Sequence, residues 1–72
     1  MLPQKVIYVR TKSGQVEPSQ TLRFTEDSWE RFFSDWRCCK NTGSPRSGVY
    51  LVALDGDFED RTLDLESIAF VM

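Results

Sequence analysis

Between residues 25 and 40 the chain reads TEDSWERFFSDWRCCK, with Trp29, Phe32, Phe33 and Trp36 at i, i+3, i+4 and i+7. That spacing collects four aromatic rings on one face of a helix. A chain of 72 residues has room for one small core, so the rings must be covered by a layer built from the rest of it. The spacing therefore predicts a helix over 25–40 with Phe32 and Phe33 in the core and the two Trp less completely covered. Thr25 or Asp27 is placed to cap its first turn, and Glu26, Asp27 and Glu30 suit its positive end. Cys39 extends the apolar stripe, and Arg31 and Asp35 are spaced to pair on the opposite side.

The flanking segments read as strands. KVIYVRT (5–11) is rich in β-branched and aromatic residues, with Val6 and Tyr8 on one face and Ile7 and Val9 on the other. KSGQVEPSQ (12–20) reads as a loop, and TLRF (21–24) as a short second strand with Leu22 and Phe24 inward. VYLVAL (49–54) is apolar on both faces, as in a central or doubly covered strand. Asp55-Gly56 signals a tight hairpin, and FEDRTLDL (58–65) alternates with Leu63 and Leu65 inward. The apolar phase then slips to Ile68 and Phe70, a bulge or a bend into a short terminal strand. The fold class expected is α+β: one domain over 1–72, a four-stranded, mainly antiparallel sheet with one amphipathic helix packed on it, in the order β-β-α-β-β.

Charge narrows the class of partner. Net charge is −2, but residues 1–54 hold eight Lys/Arg against five Asp/Glu while residues 55–72 hold one against six. An acidic end on a mildly basic body suits a protein partner better than a nucleic acid. No apolar run is long enough to cross a bilayer, and the N-terminal stretch has no secretory pattern, so no membrane partner and a cytoplasmic location are expected. Adjacent Cys38 and Cys39 read as reduced thiols.

Catalytic chemistry finds few parts. The chain has no His, which removes Ser-His and Cys-His pairs and the usual neutral-pH base. Cys38 and Cys39 lie at the C-terminal end of the helix, the unfavourable end of its dipole for an activated thiol. GSPRSG (43–48) has the glycine spacing of a phosphate loop but lacks the following Lys-Ser/Thr and leads into a strand. DGDFEDRTLDLE (55–66) places acids at positions 1, 3, 5 and 12 of a calcium-loop register, yet Asp60 stands where the turn needs Gly. No enzyme activity, cofactor or metal is expected.

One stretch carries a family likeness. In VRTKSGQVEPSQTLRFTEDSWERFF (9–33), residues Val9, Arg10, Lys12, Leu22, Phe24, Thr25, Trp29 and Phe32 follow a strand, a turn, then L-x-F-T, three residues, W, two residues, F. This resembles the core of a short actinobacterial domain of unknown function, often encoded beside helix-turn-helix regulators. That family's N-terminal Trp and Cys segment is missing here, and GVYLVALDGDFED has no counterpart in it. The resemblance implies a regulatory partner protein without catalysis, and carries over no site residue. Size, acidity and the lack of catalytic parts equally suit a virus-encoded inhibitor of a host system.

The expected function is regulatory or inhibitory binding of another macromolecule, most readily a protein. The contact surface expected is acidic: Asp55, Asp57, Glu59, Asp60 and Asp64, with Trp36 and Arg46 as neighbours. The alternative is nucleic-acid binding through Lys5, Tyr8, Arg10, Lys12 and Arg23 on the first two strands, where an aromatic sits among cations without one shared parity. The terminal IAFVM either completes the core or pairs with a second copy in a homodimer.

Overall fold

The computed structural model describes residues 3–72. Strands β1 (Gln4–Arg10) and β2 (Val16–Phe24) lead into helix α1 (Glu26–Thr42), followed by β3 (Ser47–Ala53), β4 (Glu59–Asp64) and β5 (Ile68–Val71). The strands form one antiparallel sheet in the order β4-β3-β2-β1-β5. The α+β class is as expected, with five strands where four were expected, because the terminal segment forms a full strand on β1.

This sheet cannot be flat. β4 and β5 lie at opposite ends of the pairing order, about 19 Å apart in a flat sheet at roughly 4.8 Å per strand. Only four chain steps join Asp64 to Ile68, a reach of at most about 14 Å. The sheet curls so that the two edges meet at residues 65–67. There the Glu66 N–H donates to the Arg46 carbonyl beside β3 at 3.1 Å, and the next residue, Ser67, accepts from the Arg10 N–H of β1 at 3.0 Å. Two consecutive residues thus bond to opposite sides of the sheet, and the structure is a half-rolled barrel with an inner and an outer face.

Helix α1 closes the inner side. The Thr25 Oγ1 accepts from the Ser28 N–H at 3.0 Å while the Ser28 Oγ accepts from the Thr25 N–H at 2.9 Å, a reciprocal cap. Gly43, at φ +84°, ends the helix in the left-handed conformation that glycine adopts without strain. Phe32 and Cys39 are buried against Ile7, Leu22, Phe24, Tyr50, Val52, Leu63, Leu65 and Ile68. Three helix side chains also hold backbone carbonyls of the sheet and its last turn: Arg31 donates to Val49, Trp36 to Ile68 and Lys40 to Glu66, each at 3.1 Å.

Several local expectations are corrected. β2 begins at Val16, so most of the expected loop is strand and the β1–β2 turn occupies residues 11–15. Pro18 is tolerated because β2 pairs with β3 only at Arg23 and Phe24, which leaves its other edge free, and because the β1–β2 register shifts beside it. Asp55-Gly56 forms no two-residue hairpin, since β3 and β4 are joined by the longer loop 54–58. Phe33 is not core: it is 38% exposed on the outer side of α1. Arg31 and Asp35 do not pair, because both serve Tyr50: Arg31 stacks on its ring at 5.2 Å and Asp35 accepts from its hydroxyl. β3 is a central strand, between β4 and β2, but it is not covered on both faces along its length: Tyr50 and Val52 are buried while Val49 and Leu51 point outward and are exposed. In β5 the register slip turns Ile68 inward and Phe70 outward onto Tyr8, with ring centroids 4.5 Å apart.

Candidate functional site

The outer face of the β3–β4 hairpin is built by alternation. Tyr50 and Val52 point into the core, so Val49 and Leu51 between them must point out. Cross-strand partners share a face, which puts Thr62 beside Val49 and Asp60 beside Leu51. This face is open at Val49 and Leu51, 50% and 39% exposed, and closes at Ala53, which is fully buried opposite Arg23. Its end is the 54–58 loop, where Asp55 and Asp57 are exposed and Leu54 is 39% exposed. Glu59 and Arg61 lie opposite Val52 and Tyr50, on the inward-facing side of the hairpin, and with Leu54, Asp55 and Asp57 they surround a shallow cleft of about 310 Å³ at this end.

The loop is held from behind. The Arg23 guanidinium on β2 donates to the Gly56 carbonyl at 2.8 Å and stacks on the Phe58 ring at 5.5 Å. That fixes the backbone between the two aspartates while leaving their carboxylates in water. Among the described residues, Asp55, Asp57 and Asp60 make no ion pair, whereas Glu59 is paired with Arg61 at 2.7 Å.

The expected acidic set is therefore partly gathered and partly divided. Asp55, Asp57, Glu59 and Asp60 lie at the loop end of the hairpin. Asp64 lies opposite Ser47, about 13 Å further along β4 at roughly 3.3 Å per residue, and accepts from the Ser67 hydroxyl at 2.6 Å. Arg46 is at that same far end, paired with Glu66 at 3.3 Å across an exposed contact. Trp36 belongs to the inner side: half-buried, with its indole N–H on the Ile68 carbonyl.

The cationic set is scattered. Tyr8, Arg10 and Arg23 share the outer face, but Lys5 is paired with inward Leu22 and sits over the Trp29 ring at 4.8 Å. Lys12 is in the β1–β2 turn, and Arg10 donates to the Gly14 carbonyl of that turn at 3.1 Å. Tyr8 is half-covered by Phe70.

What sequence reading missed at this site is its apolar centre, Val49 and Leu51. The signal was present: a single helix covers a single face, so an apolar run on both faces of a strand leaves one of them bare. Among the described residues no group of three or more Cys, Asp or Glu side chains is placed to hold a metal ion, and no helix is long and apolar enough to cross a membrane. The chain matches no protein-family model, no curated protein and no solved structure.

Proposed function

We propose that this protein is a non-enzymatic regulatory or inhibitory module that binds another protein through the outer face of the β3–β4 hairpin. One observation carries the reading: Val49 and Leu51 lie bare between Asp60 and a braced loop whose Asp55 and Asp57 carry uncompensated charge. An apolar centre with a charged rim is the usual anatomy of a protein interface. The partner it fits presents an apolar spot ringed by Lys or Arg, and the acidic rim speeds and orients encounter more than it adds affinity. The family likeness over 9–33 supports a regulatory partner protein in the same direction.

The test is a matched pull-down from lysate with and without nuclease treatment, with the wild-type protein and a variant carrying Asp55→Lys, Asp57→Lys and Leu51→Ser as baits. A protein captured by the wild type, released by salt and absent from the variant is the expected result. Equal capture by both baits would overturn the assignment of this face. Capture that disappears on nuclease treatment would move the function to nucleic acid.

A further inference from the structure

The aromatic stripe of α1 does not end at the core. Phe33 stands on the solvent side, stacked against Trp29 at 5.4 Å with Arg37 over its ring at 5.7 Å. The row Trp29, Phe33, Arg37 and the adjacent row Glu30, Ser34, Cys38 are both spaced by four residues. Between these two ridges runs a groove of about 510 Å³, lined entirely by α1. Such a groove accepts a ridge of the same kind from another helix, crossing at about 50°.

We propose that this groove is a self-association surface, occupied by α1 of a second copy packed antiparallel across a two-fold axis between Phe33 and Ser34. The charge pattern selects this occupant. With the axis at that point, Phe33 of each copy faces Ser34 of the other, a large side chain against a small one. One turn out, Glu30 of each copy faces Arg37 of the other, giving two reciprocal opposite-charge pairs, and Trp29 faces Cys38. An isologous contact needs a surface complementary to itself, and this pattern satisfies that on both sides of the axis. Among the described residues Glu30 has no ion-pair partner within its own chain, so the second copy supplies one. A contact of a few helical turns is small, which places the affinity at about micromolar or weaker.

Sedimentation equilibrium over a wide concentration range tests this. The apparent mass of the wild type should rise from 8.4 kDa toward twice that value as concentration increases. Glu30→Arg or Arg37→Glu alone should hold the mass at the monomer value, since each places like charges together twice. The double variant Glu30→Arg/Arg37→Glu restores the opposite-charge pairs and should restore association. Phe33→Ser should abolish it, with circular dichroism confirming that each variant is folded. A wild type that stays at the monomer mass at every concentration would overturn the proposal, as would association unchanged in the single charge variants or not restored in the double. Asp55→Lys/Asp57→Lys should leave the mass profile unchanged, which separates this surface from the β3–β4 face.

Discussion

The Tyr50 hydroxyl donates to the Asp35 carboxylate at 2.6 Å, and through that bond the centre of β3 is tied to the middle of α1. The Tyr50 ring is fully buried, meets Phe32 edge-on at 5.5 Å and carries the Arg31 guanidinium over it. A buried phenol next to a carboxylate contributes only while it holds its proton. Burial, then the hydrogen bond to Asp35 and that carboxylate's charge, push Tyr50 far above the usual tyrosine range, with Arg31 opposing.

Removing the hydroxyl should therefore be costly for so small a change. Tyr50→Phe keeps the ring and leaves the Asp35 carboxylate without its donor, and is expected to lower unfolding free energy by about 1–3 kcal/mol. Urea denaturation at neutral pH measures this.

The same pair predicts a pH dependence. Because the folded state holds the Tyr50 proton more tightly than the unfolded state, the stabilisation is complete below pH of about 10, the ordinary tyrosine value, and is lost as pH rises above it. The stability difference between wild type and Tyr50→Phe should shrink above that pH by up to about 1.4 kcal/mol per pH unit. Parallel curves for the two proteins would contradict it.

Gly48 is required by Tyr50. Both face inward two residues apart on β3, and a Cβ on Gly48 would lie 2.6 Å from the Tyr50 Cζ and 2.8 Å from its Cε2. Gly48→Ala, harmless in most strands, should cost about 1–3 kcal/mol by displacing the ring. In the Tyr50→Ala background the same change should cost close to nothing, which a double-mutant cycle would read as coupling.

Phe32 and Phe33 are neighbours in sequence with opposite fates. Phe32 is fully buried, so Phe32→Ala should cost about 3–5 kcal/mol. Phe33→Ala should cost about 1 kcal/mol or less, in the range of surface substitutions, as measured by thermal or urea unfolding.

That contrast marks how far the sequence could be read. Periodicity located α1 and the burial of Phe32 and Cys39, with Thr25 one of two candidate caps, and alternation located Leu22, Phe24, Leu63 and Leu65. An i, i+3, i+4, i+7 stripe is wider than the single inner face of a curled sheet, and nothing local says that Phe33 is the ring left outside. Arg31 and Asp35 had the spacing of a surface pair, but the buried phenol of Tyr50, far along the chain, offered each a better contact. The second strand was read too short because Pro18 speaks for a loop unless one knows that the strand edge beside it is unpaired. The acidic loop was legible from composition alone. Its brace, Arg23, was not, because 33 residues separate it from Gly56.

Arg23 gives a further prediction. Arg23→Ala removes the donor to Gly56 and the cover of Phe58, so amide exchange in residues 55–58 should accelerate while exchange in the core strands stays unchanged. Global stability should fall by about 1 kcal/mol or less. Uniform acceleration across the sheet would show instead that Arg23 supports the whole fold.

The most direct test of the binding account is residue-resolved. Titrating ¹⁵N-labelled protein with the captured partner, and separately with short DNA and RNA, maps each contact by amide shifts. The account predicts shifts at Val49, Leu51 and residues 54–60 with the protein partner, and none with either nucleic acid. Shifts on β1 and β2 around Tyr8, Arg10 and Arg23, with the β3–β4 face silent, would contradict it.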